Sequence, residues 1–224
     1  MRIKGIEILI SSFIFIYSCA SSGPTPTIKN INEVSITDAR GVVLIGPFFD
    51  KRQWAKGDPT YVGTIRGGYG NPIERLHIAE GVPDFVIDNI RKCLWYYNIR
   101  AEALPKEIEI FYDGHFTVKK INNDISSPPI LVGLIQSVLA KNSIWGGHRY
   151  FEVMIDLYLI NQITGKIVWQ ASIVNNTNNS KYKENVGTAG ISDNLQPTRE
   201  WLSKLIQDRG IEIFNNLVMK LYYN

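Results

Sequence analysis

Cysteine is nearly absent: among 224 residues only Cys19 and Cys93 occur. One thiol near the start and one in mid-chain give no basis for an intrachain disulfide framework. Cys93 has no partner cysteine two residues away, so paired-cysteine zinc motifs are excluded. Histidine is scarce as well, with only His77, His115 and His148. No two stand four residues apart and there is no His-Glu-x-x-His, so a zinc site would need three separate segments to converge. The chain also lacks a Gly-x-Ser-x-Gly elbow, so a Ser-His-Asp arrangement would have to assemble from scattered residues. Charge of one sign is not in strong excess: the formal net charge is +3, too mild for a nucleic-acid-binding surface. No internal repeat is visible. The apolar stretch Ile8–Tyr17 is about half the ~20 residues that a membrane-spanning helix needs.

What is present begins at that short stretch. Arg2 and Lys4 precede it, and Ile16-Tyr17-Ser18-Cys19 follows. A basic start, a short apolar run and a small residue before the cut make a secretory signal over residues 1–18. With a cysteine at the cut, the segment resembles a bacterial lipoprotein signal, which implies lipid on Cys19. Ala20, with no Asp after the cysteine, resembles the signal for outer-membrane sorting. From Ala20 the chain reads Ser-Ser-Gly-Pro-Thr-Pro-Thr, so residues 19–34 are expected to form a solvated tether. Fully extended at ~3.3 Å per residue, it would hold the domain up to roughly 40 Å from the lipid surface. Residues 35–224 suit one domain, with 45% hydrophobic and 20% charged residues over the whole chain giving no reason to expect disorder.

Gly41-Val-Val-Leu-Ile-Gly-Pro-Phe48 reads as a buried strand. Residues 49–81 read as a long loop with one short strand near Tyr61–Ile65. Pro83 and Asp84 suit the first turn of a helix whose apolar face carries Phe85, Val86, Ile90, Cys93, Leu94 and Tyr97, with Asn98 ending it. On that face Cys93 reads as a buried structural thiol rather than a reactive one. Ile108, Ile110 and Tyr112 suggest a strand, whereas Phe116–Asn123 reads equally as helix or strand. Ile130–Leu139, after Pro128-Pro129, is expected to be a central strand. Phe151, Val153, Ile155, Leu157 and Leu159 alternate with Glu152, Asp156 and Tyr158, the pattern of a strand with one wet face. Asn161–Lys166 supplies a turn and Ile167–Val174 the return strand. A helix opening at Pro197 or Thr198 carries Trp201, Leu202, Leu205, Ile206, Ile213, Leu217 and Leu221, interrupted by Gly210. The expected fold is α+β: a two-layer domain with a mostly antiparallel sheet, an N-terminal strand and two main helices on one face.

Strand Val42–Pro47, Asp50-Lys51-Arg52, the Gly63–Gly70 segment and the Val82-Pro-Asp-Phe helix start together resemble the YajG-type uncharacterised bacterial lipoproteins. The Gly133 strand and the Thr164-Gly165-Lys166 hairpin resemble, more distantly, the sheet of CsgG-like curli-secretion lipoproteins. The resemblance spans roughly residues 19–221 and departs in the insert at Leu104–Ser127 and in the Asn-rich loop. It implies a lipid-anchored, periplasm-facing domain and brings no catalytic residues with it.

Two readings of the remaining polar motifs stay open. Asp50 and Arg52 either staple a loop to the end of a strand or form a recognition surface with Trp54, Tyr61, Arg66 and Tyr69. Trp145-Gly-Gly-His-Arg149 is either a second contact tip or a tight turn. Arg66-Gly-Gly-Tyr-Gly70 lacks the Gly-Lys-Ser/Thr ending of a phosphate loop and stands a dozen residues before the next helix, so it reads as a turn before a ligand loop. Glu107 and Glu109 read as a solvated face rather than an acid/base pair. The leading expectation is therefore a non-catalytic binding or scaffold module, anchored through Cys19 to the outer membrane and facing other envelope proteins, with no metal, cofactor or nucleic acid. Its rivals are an oligomeric secretion or assembly component and a small-molecule-binding or hydrolytic protein.

Overall fold

The computed structural model describes residues 41–120, 128–143, 149–176 and 195–223. The expected signal, Cys19, the tether and Trp145 lie outside the described residues.

Strand β7 (Ile130–Ser143) is the spine of a seven-stranded sheet. On one side it pairs antiparallel with β8 (Arg149–Ile160), which pairs in turn with β9 (Ile167–Asn176). On the other side two strands share it end to end. β1 (Gly41–Asp50) runs parallel along Ile130–Ile135, and β2 (Tyr61–Arg66) runs parallel along Ala140–Ser143. Between these stretches β7 carries a bulge, with the register against β8 shifting between Ile135 and Ser137. β4 (Ile99–Ala103) lies parallel on the outside of β1, and β3 (Pro72–His77) lies antiparallel on the outside of β2.

The α+β reading holds, and antiparallel ladders make up the β7–β8–β9 meander and the β2–β3 hairpin. The centre is parallel, because β1 has parallel neighbours on both sides. A continuous apolar run such as Val42–Ile45 is what a parallel strand buried on both faces looks like, and the run itself carries no direction. Pro47 is tolerated inside this central strand because the register against β7 shifts between Ile45 and Phe48, which removes the need for its missing N–H. Where β1 resumes, Phe48 sits opposite Gly133. A Cβ on Gly133 would lie 2.4 Å from the Phe48 ring, so the glycine makes room for the aromatic.

Residues 49–81 hold more structure than expected: a 3-10 turn at Gln53–Ala55 and two strands rather than one. β3 escapes sequence reading because four of its six residues are exposed, leaving no apolar alternation to detect. β4 escapes for another reason, as it starts directly after the helix with its residues mostly half-buried. The ambiguous segment after Leu104 is a hairpin of β5 (Ile108–Tyr112) and β6 (Phe116–Lys120).

Both helices pack on one face of the sheet. α1 (Val82–Tyr96) has Pro83 and Asp84 in its first turn and is capped by Tyr97, with Asn98 just beyond at φ 56 turning the chain into β4. Its buried residues Phe85, Ile90 and Leu94 join Val43, Leu131, Ile135, Ile155 and Leu157 from the sheet. α2 (Leu195–Tyr223) adds Leu202, Leu205, Ile206 and Phe214. Burying each such side chain contributes ~1.5–3 kcal/mol. The helices run parallel: Asn89 meets Ser203 and Gln207, and further along Tyr97 Oη donates to the Ile211 carbonyl at 2.6 Å. Gly210 falls at their close approach, where a Cβ would lie 2.6 Å from Cys93 Sγ. The break in the apolar stripe is thus a contact point. On the opposite face the β5–β6 hairpin seats Ile108 and Ile110 on Leu44, Ile130, Val132 and Ile160.

Candidate binding surface

β1 leaves the edge of β7 at Asp50 and β2 takes it up again later, so a gap opens between two strands that share one line. Arg52 fills that gap. Its Nε and Nη2 donate to the two carboxylate oxygens of Asp50 at 2.8 and 2.6 Å. Nη1 donates to the Tyr61 carbonyl at 2.6 Å and Nη2 also to the Pro59 carbonyl at 3.2 Å. Four of the five guanidinium N–H groups are thereby used inside the protein, and the side chain has no exposed surface. The backbone N–H of Lys51 continues the ladder by donating to the Ile135 carbonyl at 2.9 Å. Arg52 therefore joins the end of β1 to the start of β2 and, with its side chain fully buried, presents no exposed donor to a partner. Of the two readings of Asp50 and Arg52, the staple is the one the geometry carries.

Trp54 and Tyr61 gather around this staple. The Arg52 guanidinium lies 5.2 Å from the Trp54 ring centre, and the Trp54 and Tyr61 rings meet edge-on at 5.5 Å. Tyr61 is further flanked by Arg75 at 5.9 Å and by the His77 ring at 5.7 Å. Both aromatics are half-buried. The four nearest expected residues, Asp50, Arg52, Trp54 and Tyr61, are thus one cluster.

Sequence reasoning missed the residues beside it. Asp58 Oδ1 accepts the Thr60 N–H at 2.9 Å and the Thr60 hydroxyl at 2.6 Å. Thr60 Oγ1 also lies 2.9 Å from His77 Nδ1, and Asp58 Oδ2 is 3.6 Å from the same nitrogen. The Thr60 hydroxyl bond, followed by its backbone N–H, holds the Asp58 carboxyl below the usual carboxylate range. Threonine, histidine and aspartate do not form a nucleophile relay here, since hydroxyl and carboxylate converge on one ring nitrogen rather than on opposite ones. The signal available was Asp58-Pro59-Thr60, a turn motif in which the first side chain caps the N–H two residues on. Nothing in the sequence brings His77 to it without β3.

Arg66 and Tyr69 lie at the other end of β2, about 16 Å from Tyr61 at ~3.3 Å per residue. There Gly67 N–H donates to the Asn71 carbonyl and Gly70 N–H to the Gly67 carbonyl, each at 2.9 Å, closing the β2–β3 hairpin. Arg66 Nη1 braces it by donating to the Gly70 carbonyl at 2.7 Å. Tyr69 is fully exposed at the tip. The expected surface therefore divides into a buried, stapled base and an exposed tip.

Cys93 is wholly buried, and burial pushes its thiol up to about 12, with the Asp208 charge adding to the shift. Among the described residues no three His, Cys, Asp or Glu side chains gather as metal ligands would, and no helix is long and apolar enough to cross a membrane.

No protein-family model and no curated protein sequence matches the chain. Solved structures that resemble it include a DUF330 protein from Xanthomonas campestris, 11% identical, with a TM-score of 0.43 over 76% of this chain and 80% of that one. A PelC dodecamer from Paraburkholderia phytofirmans gives 10% identity and a TM-score of 0.32 over 77% and 89% of the two chains. A protein described as a neuraminyllactose-binding hemagglutinin homolog from Helicobacter pylori gives 11% and 0.30 over 82% and 83%. All three TM-scores are below 0.5, and the functional reading rests on this chain's own residues.

Proposed function

We propose that this chain is a YajG-type lipoprotein, anchored to the outer membrane through lipid on Cys19, whose periplasmic domain binds other envelope proteins without catalysis. The observation that carries the reading is the basic start, short apolar run and Cys19 at its end. One acyl chain holds a protein only marginally, at ~0.8 kcal/mol per buried CH₂, whereas two or more hold it stably. The two-part surface supports the binding half. Asp50 and Arg52 fix the base of the β1–β2 loop, and the β2–β3 tip presents Arg66 and the fully exposed Tyr69, residue types enriched at interfaces. Placing a photo-crosslinking amino acid at position 69 in intact cells is expected to trap a discrete envelope protein. The same probe on the Cys19→Ser chain, displaced from the membrane, is expected to lose that product. Equal trapping from position 69 and from the far-side residue Lys166 would refute a specific tip.

A further inference from the structure

The parallel packing of α1 and α2 leaves a cleft of about 450 Å³ on their outer side. Its lining carries four cations, Arg91, Lys92, Arg199 and Lys204, against two carboxylates, Asp88 and Glu200. With Glu80 pairing Arg199 from just outside the lining, the cleft keeps a surplus of one positive charge in one concave place. The floor is polar and ordered. Asn89 is anchored by its Nδ2 donating to the Phe85 carbonyl at 2.8 Å, and its Oδ1 accepts from the Ser203 hydroxyl at 2.5 Å and from Gln207 Nε2 at 2.6 Å. Gln207 Nε2 reaches Ser203 Oγ as well, at 2.8 Å. Asn89 and Gln207 are 2% and 8% exposed, so the floor is rigid and mostly dry while the cations stand at the rim.

The protein itself holds these cations unequally. Arg91 touches Asp88 through a single 3.4 Å contact between two largely exposed side chains, the kind of ion pair that contributes little. Arg199 bonds Glu80 and lies 5.5 Å from the Phe85 ring centre, and Lys204 lies 5.3 Å from the Trp201 ring centre. Because the helices are parallel, their N-terminal ends face the same way, so both dipoles add positive potential toward the Phe85–Arg199 end of the cleft.

We propose that this cleft binds a small ligand bearing phosphate, with Lys92 and Lys204 meeting its charge from opposite walls and the Asn89–Ser203–Gln207 floor setting its depth. The site is separate from the β2–β3 tip, so it stands or falls independently of the partner-binding reading. Such a phosphate has two sources, a soluble compound or a phospholipid headgroup. Both are tested by titrating the full-length chain, held in micelles of an uncharged detergent, with inorganic pyrophosphate and with short-chain phosphatidylglycerol. Saturable one-to-one binding is expected, weakening at least tenfold in the Lys92→Gln/Lys204→Gln double variant with an unchanged melting temperature. Tighter binding of pyrophosphate identifies a soluble ligand. Tighter binding of the lipid, displaced by pyrophosphate, identifies a headgroup. No saturable binding of either, or equal binding by the double variant, overturns the proposal. Should that variant unfold, the single Lys204→Gln change at an exposed position serves in its place, with a threefold or greater loss expected.

Discussion

Arg52 does at residue scale what a stretch of ladder does elsewhere. Where β1 stops and β2 has not begun, its guanidinium gives hydrogen bonds to Asp50, Pro59 and Tyr61 that no backbone N–H supplies. The side chain is fully buried while Asp50 is about one-fifth exposed, so truncating the arginine strands two carbonyls and a partly buried carboxylate. Breaking a buried pair from one side costs ~3–5 kcal/mol. Arg52→Ala is therefore expected to lower unfolding free energy by about that much in urea titration, and a loss under ~1 kcal/mol would contradict the staple. Gly210 argues the same way from absence. Alanine improves helix propensity by ~1 kcal/mol over glycine, yet its Cβ would stand 2.6 Å from Cys93 Sγ, and overpacking costs ~1–3 kcal/mol. Gly210→Ala is expected to be net destabilising, and Cys93→Ala in the same chain to recover part of the loss, read as a coupling in a double-mutant cycle.

The Cys93 thiol also sets a pH expectation. Its pKa is raised in the folded protein to about 12, from an unfolded value of about 9. Below the unfolded value both states hold the proton and folding is unaffected. As pH rises from there toward the folded value, only the unfolded chain ionises, so stability falls. Native protein at neutral pH is expected to leave Cys93 unlabelled by a thiol reagent that reacts fully after denaturation. Rapid labelling of native protein would contradict a packed thiol.

At the scale of elements, strongly periodic segments were readable and exposed ones were not. α1 announced itself through Pro83, Asp84, its apolar stripe and Asn98, and β8 through strict alternation with the turn at Asn161–Lys166. In that turn Asn161 Oδ1 accepts the Ile163 and Thr164 N–H groups at 3.0 and 2.9 Å, and Gly165 takes φ 68. β3 stayed hidden because it is an exposed edge strand, and β6 because five residues after a bend fit either period. Direction is a pairing property, so the parallel placement of β1 between β4 and β7 is invisible in any one segment. For the same reason the candidate surface was half legible. Asp50, Arg52, Trp54 and Tyr61 lie close in sequence and meet, whereas His77 joins Thr60 only through the β2–β3 ladder.

For the whole molecule, the fold places three different surfaces in three directions. The helix face holds the cationic cleft, the hairpin tip holds Tyr69, and the β5–β6 hairpin shields part of the remaining sheet face. A module with separated surfaces gains most from being held at one place, since tethering replaces a bimolecular encounter by a high effective concentration. That advantage depends on the anchor. Intact-mass spectrometry of the protein extracted from membranes addresses it directly. The expected mass is that of a chain beginning at Cys19 and carrying a diacylglycerol-sized addition with at least two acyl chains. A chain that begins at Met1 with an unmodified sulfur at position 19 would contradict the account.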